Sequence, residues 1–337
     1  MNRRTLLPVL RHIVSRPTAP FHEQAVAEAI LGFLNELPHV SVQADKFGNL
    51  IARYERTGGK PIQPKYAFAA HMDHPGWVRA DGHAPGHVHH FPGEKHPMQF
   101  LGGVPEAWLK EPSVRGYGRF AMWDLPEFQL RDGLIHARAC DDLVGCAIIV
   151  ATFIELEKSG AEGACVGLFT RAEEVGLVGA VRLAASGFVP EDLTIVSIET
   201  SSERPPAKIG DGPILRVGDK STIFDSAATL SLGQIAADSH IPIQRCLMPG
   251  GTCEATAYQL YGYRSAALCV ALGNYHNCAP ENQIGAEFVS FSDVQGLVRL
   301  CVQIATSRAK KNQAVKALKK RLKSNAEKYK KMLKKRV

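Results

Sequence analysis

Apolar positions recur along this chain at two different spacings. In "TLLPVLRHIV" and "HEQAVAEAILGFLNE" they fall three and four apart, which predicts an amphipathic helix through residues 6–14 and a second over about 22–36. "VSVQADKFGNLIARY" reads as two short strands around a Gly-Asn turn, and "KYAFAAHMD" as an apolar strand ending in polar residues. From residue 142 the pattern becomes a regular alternation. Helices are predicted over about 142–158, 174–186, 226–238, 254–261 and from about 292, with strands at "ACVGLFT", "LTIVSIET", "IPIQRC" and "SAALCVAL". Such alternation predicts an α/β fold with a mostly parallel sheet and helices on both faces.

Residues 74–136 break the pattern. Gly, Pro and His are frequent there and long helical periodicity is absent, which predicts a small β-rich insertion. The chain therefore divides into a catalytic α/β domain of residues 1–73 and 137–307, an inserted β-rich domain of residues 74–136, and a tail from 308 to 337.

Composition supports a full-sized core, with 45% hydrophobic residues in a chain of 337. The formal charge of +7 belongs to the tail. Residues 308–337 hold eleven Lys and three Arg against Glu327 alone, whereas residues 1–307 hold 26 basic and 32 acidic side chains. Nucleic-acid binding by the body is thereby disfavoured. The eight cysteines are scattered without a C-x-x-C pair, as expected of reduced thiols serving as small core residues. No window approaches a membrane span, so the expectation is a soluble, cytoplasmic protein.

In parallel sheets, functional groups collect where strands end. Five strand ends, or the loops beside them, carry metal-type ligands: His71, Asp141, the pair Glu173 and Glu174, Glu199, and His276. Two histidines and three carboxylates, with Asp141 shared, give three protein positions to each of two metal ions. His71 and Glu199 are assigned to one ion and Glu174 and His276 to the other. Glu173 is left over. It is assigned as general acid/base, accepting a proton from the attacking water and passing it to the departing amine. Asp73, two residues beyond His71, is placed to orient that imidazole through its second nitrogen.

The segments "AFAAHMDHPGW", "ACDDLVG", "TRAEEVGLVGA" and "MPGGTCEATAY" resemble the motif series of the co-catalytic metallo-aminopeptidases, which include the glutamyl, deblocking and tetrahedral aminopeptidases. The likeness runs from about residue 10 to about 307. It implies a phosphorylase/hydrolase-like fold of the zinc-peptidase type and removal of N-terminal residues from a peptide substrate. Two divalent metal ions are implied, zinc first, with cobalt or manganese as alternatives. It further implies that the insertion is a dimerisation domain and that the chain forms a homo-oligomer, from dimer to dodecamer. Three positions depart from the family pattern: Leu143 stands where an arginine is usual, Glu199 replaces an aspartate, and Cys253 replaces another.

Other functions compete with this reading. A two-metal amidohydrolase or deacylase acting on small N-acyl substrates would use the same ligands. An assembly protein with a vestigial site would instead work through its basic tail. The tail lacks Gly and Pro and sets Val315, Leu318, Leu322, Tyr329 and Met332 at heptad-like spacing with Asn325 between them. It is expected to extend the closing helix, projecting on the order of 60 Å at 1.5 Å per residue. Its candidate partners are an acidic neighbouring subunit, nucleic acid, or an anionic membrane surface. The histidines at 83, 87, 89, 90 and 96 could chelate a second metal but read better as a surface loop or subunit contact. "GDGPILRVGD" lacks the order of a phosphate loop, and Lys208, Asp211 and Arg216 within or beside it are candidates for substrate specificity.

Overall fold

The computed structural model describes residues 2–80, 88–91, 95–109, 113–308 and 312–333. Helices α1 (Arg3–Val14) and α2 (Gln24–Leu34) precede a hairpin of β1 (Val40–Ala44) and β2 (Leu50–Arg56), followed by β3 (Tyr66–His71). The chain then builds a small sheet from β4 (Gly76–Arg79), β5 (Val88–His89), β6 (Met98–Leu101), β7 (Val114–Gly116) and β8 (Phe120–Trp123). It returns through β9 (Gln129–Arg131) and β10 (Leu134–Ala137). Next come α3 (Leu143–Ser159), β11 (Gly163–Thr170), α4 (Val178–Ala185), β12 (Thr194–Ser202) and β13 (Ile214–Arg216). After these follow α5 (Ser226–Asp238), β14 (Gln244–Cys246), α6 (Glu254–Leu260) and β15 (Arg264–Gly273). A short hairpin of β16 (Cys278–Ala279) and β17 (Gln283–Ile284) leads to β18 (Glu287–Ser290), α7 (Phe291–Thr306) and α8 (Gln313–Leu333).

The main sheet has the order β1, β2, β11, β3, β12, β15, β18, β10, β9, with β13 and β14 branching from β15. Its centre, β11 to β15, is parallel; β2, β13 and β18 join it antiparallel, and β14 joins β13 in parallel. The central strands are buried almost throughout because both faces are covered. Alternation along each strand divides the core in two. Phe68, Cys165, Phe169 and Val196 face a layer built on α1, α2, α3, α5 and α7. Ala67, Ala69, Leu168 and Ile195 face α4 and α6. The first helix belongs to this core, with Leu6, Leu10, Ile13 and Val14 fully buried.

The small sheet packs its own core around Trp77, Phe100 and Trp123. It ends at Trp123. The strands at 129–131 and 134–137, read from sequence as part of the insertion, pair with each other and with β18 in the main sheet. The closing helix also ends sooner than expected. Ser307 caps α7 with φ −61° and ψ 123°, an extended conformation that no α-helix continues through. The tail is therefore a separate helix of about 30 Å at 1.5 Å per residue. Its first turns rest on α5. Among the described residues, no helix is long and apolar enough to cross a membrane.

Candidate active site

Sheet register explains the first pairing. Ala69 of β3 lies beside Ser197 of β12, so His71 and Glu199, each two residues further along parallel strands, project from the same face. His71 Nε2 is 3.6 Å from Glu199 Oε1. Across β11, His71 is level with Thr170, the last strand residue before the Glu173–Glu174 loop.

Asp141 lies between the two histidines. Its Oδ1 is 3.4 Å from His71 Nε2, and its Oδ2 is 3.7 Å from His276 Nε2. His276 Nε2 is also 3.2 Å from Glu174 Oε2. Each imidazole is fixed from behind by a backbone carbonyl, Asp73 O at 3.1 Å for His71 Nδ1 and Gly103 O at 3.2 Å for His276 Nδ1. A carbonyl only accepts, so Nδ1 carries a proton in each ring and Nε2 is the nitrogen turned to the carboxylates, free to offer its lone pair to a cation once the ring is neutral. Gly103 follows β6, so the small sheet reaches into this site.

Consecutive residues of a regular strand point to opposite faces, and the structure shows how Glu173 and Glu174 escape that rule. Ala172 turns into the left-handed region with φ +54°, ending the strand geometry. Its N–H donates to Glu23 Oε1 at 3.1 Å. Arg171 anchors the same turn, donating from Nε to Glu23 Oε2 at 2.8 Å and from its backbone N–H to Asn49 Oδ1 at 3.1 Å. The N–H groups of Glu173 and Glu174 then donate to Asp73 Oδ1 and Oδ2, at 2.9 and 3.1 Å. Asp73 thus positions the two glutamates through their backbone. Its carboxylate is farther from His71 Nδ1, at 3.5 Å, than its own carbonyl is.

A second buried carboxylate holds the other side. Glu287 Oε2 accepts the N–H groups of Cys140 and Asp141 at 2.7 and 3.0 Å, while its Oε1 accepts that of His276 at 2.8 Å. Burial, with Asp141 nearby, pushes its carboxyl up to about 7. Glu254 begins α6 beneath the site and accepts a hydrogen bond from the Thr170 hydroxyl. Burial raises its carboxyl to about 7 as well.

The charge balance of the cluster asks for cations. Burial drives Glu173 well above the usual carboxylate range, with Glu174, Glu199 and Asp73 adding to the shift, and it raises Glu199 too. Burial alone would lower His71, but Glu173, Asp141, Asp73 and Glu199 hold it well above an ordinary imidazole. His276 is likewise lifted to about 9, its burial outweighed by Glu174 and Asp141. Asp141 Oδ1, Glu174 Oε1 and His276 Nε2 are buried without a hydrogen-bond partner. Unpaired buried acceptors and excess negative charge are costly without a cation. Donor atoms within 4.8 Å of one another form three groups: His71 with Glu173 and Glu174, His71 with Asp142 and Glu199, and Asp141 with Glu174 and His276. Histidine nitrogen and carboxylate oxygen suit zinc and its neighbours, and these residues fit such a metal.

The structure thus brings all seven sequence-assigned residues into one cluster. All of them but the buried Asp73 line a cavity of about 340 Å³ whose wall also includes Ser201, Arg204, Arg216, Met248, Thr252 and Tyr275. Of the specificity candidates only Arg216 lines it, and it is buried with its guanidinium donating to Met248 O, Gly251 O and Ser201 Oγ. Lys208 and Asp211 are exposed elsewhere. His83 and His87 lie outside the described residues; His96 contacts Arg79, and the His89 ring meets Trp77 and Phe91 at a tilt. Sequence reading missed Asp142, Glu254 and Glu287. The first two stand inside the quoted motifs, and their full burial was the missing signal.

A family profile described as M42 glutamyl aminopeptidase matches residues 114–299. A curated protein of Acetivibrio thermocellus that carries an aminopeptidase name is 28% identical over 181 residues, covering 52% of this chain and 52% of the relative. The chain spans about half the length of the curated relatives it matches. The fold is shared with the TET1 peptidase of Pyrococcus horikoshii, which assembles into a tetrahedron or a large octahedral shell, at a TM-score of 0.72 and 21% identity over 89% of this chain and 99% of that one. It is shared equally with an aminopeptidase from the archaeon Desulfurococcus kamchatkensis, at a TM-score of 0.73 and 20% identity over 94% and 98%.

Proposed function

The chain belongs to the M42 glutamyl aminopeptidase family, and from that premise we propose that it is a two-metal aminopeptidase that removes N-terminal residues from peptides. The observation that carries the proposal is the position of Asp141, whose two oxygens face two histidines from different strand ends, at 3.4 and 3.7 Å. His71, Glu199 and Asp141 would hold one ion, and Glu174, His276 and Asp141 the other. Zinc suits this donor set best, with cobalt and manganese next.

When bound, such ions make water acidic enough to act as a nucleophile near neutral pH and polarise the scissile carbonyl. The chain's own residues do the rest. A Glu173 carboxylate oxygen takes the proton of the attacking water and delivers it to the nitrogen of the departing amine. Burial raises its affinity for a proton, which strengthens it as the base that takes one from water. Asp73 keeps Glu173 and Glu174 from turning to opposite faces. The cavity of about 340 Å³ has room for a chain end beside Glu173.

The assemblies of the tetrahedral relatives support a homo-oligomer, with the small sheet of residues 76–123 as the contact between copies. The test of the proposed activity combines metal analysis with a substrate panel. About two transition-metal ions per chain, and hydrolysis of free-amine peptides but not of N-blocked ones, are expected. Cleavage confined to N-blocked amides would replace the proposal with a deacylase.

A further inference from the structure

Helix α8 leaves the body with half of its apolar side uncovered. Ala314, Val315 and Leu318 are half-buried where the helix crosses α5. Beyond them Leu322, Tyr329 and Met332 are 57%, 51% and 69% exposed. At 3.6 residues per turn these three, with Asn325 and Ala326, continue one stripe along the helix. Lys319, Lys323 and Lys330 border the stripe on one side, and Arg321 and Lys328 on the other. The helix has a single acid, Glu327, on the side away from the stripe, where it pairs with Lys330 at 3.2 Å.

Besides the acidic face of a neighbouring subunit, which self-association through this helix would reveal, three kinds of partner could cover that surface, and the residue pattern discriminates among the three. A second α8 would set two strongly basic helices side by side, with no acids at the stripe's borders to offset the repulsion. Nucleic acid would account for the lysines but not for an apolar stripe between them. A bilayer rich in anionic lipid accounts for both: apolar side chains enter the boundary between headgroups and acyl chains, while flanking lysines reach up to the phosphates. We propose that the outer half of α8, from Leu322 to Met332, lies flat on an anionic phospholipid surface. The acidic body is repelled by the same surface and stays off it, so the helix acts as a tether whose attachment weakens as salt rises.

The test uses the full chain and sedimentation with vesicles of phosphatidylcholine alone or with phosphatidylserine added. Binding to the phosphatidylserine vesicles only, falling with salt, is expected. Replacing Lys319, Lys323 and Lys330 together by Gln should weaken it roughly 100-fold. Replacing Leu322, Tyr329 and Met332 together by Gln keeps every charge and good helix propensity, and should still weaken it at least about tenfold. The substituted side chains lie far from the cavity, so peptide hydrolysis should be unchanged. Undiminished vesicle binding by the apolar triple variant would overturn the proposal. So would a chain that ignores both vesicles yet binds duplex DNA or self-associates through this helix.

Discussion

Asp73 and Glu173 are joined through the backbone: the Asp73 Oδ1 accepts the Glu173 N–H at 2.9 Å, and the other oxygen of the same carboxylate accepts the next N–H at 3.1 Å. One acid thus fixes where two others point. In Asp73→Asn the amide nitrogen must confront one of those N–H groups. Turnover is expected to fall about 10–100-fold, with bound metal reduced less, measured by steady-state kinetics beside metal analysis. Unchanged kinetics would show that the glutamates hold their places without it.

Glu173→Gln removes the proton acceptor but keeps shape and volume. The expected outcome is a drop in kcat of about 10²–10⁴-fold with KM and metal content little changed. A fully loaded variant with ordinary turnover would dismiss Glu173 from the proton transfer.

Gly179 carries the far end of the same loop. A Cβ there would meet the backbone oxygen and nitrogen of Arg171 at 2.4 and 2.6 Å and Asn49 Oδ1 at 2.6 Å. Gly179→Ala is expected to destabilise the fold by about 1–3 kcal/mol and to lower activity by displacing the turn that holds Glu173 and Glu174. Gly59→Ala, where nothing lies within 4 Å, serves as the neutral control. Urea titration of both variants decides the matter.

Glu254 predicts a pH dependence. Its folded carboxyl titrates at about 7, above the ordinary 4.5, because burial disfavours the charged form. The folded state therefore binds this proton more tightly than the unfolded state does. The benefit is complete below about pH 4.5 and is lost as pH rises through 7, a swing on the order of 3 kcal/mol. In the metal-free chain, Glu254→Gln should remove that part of the slope, seen by comparing urea unfolding of both proteins from pH 5 to 8. Parallel curves would contradict it.

The sequence pattern located most of the scaffold because the central strands are apolar on both faces and the helices are periodic; α5, for example, runs from Ser226 to Asp238 as read. The gathering of the candidate residues was legible for a related reason: parallel strands end on one side, so His71, the Glu173–Glu174 pair and Glu199 had to meet there. Asp73 was legible only as a neighbour of His71, and Glu287 not at all, since their partners are backbone N–H groups that leave no trace in residue identity. The end of α7 was invisible too. Nothing in "IATSRAKKNQA" forbids a helix, yet Ser307 turns extended and ends α7.

Glu287 also makes the two halves of the cluster mechanically unequal. His71 and Glu199 stand on neighbouring strands of the rigid sheet, so their separation is built in as soon as that sheet forms. Asp141 and His276 instead ride on two loops lashed together by one buried side chain, and they shift as a pair or not at all. Loosening that lashing would displace Asp141 and His276, the proposed shared and terminal ligands, together, while leaving the opposite wall standing.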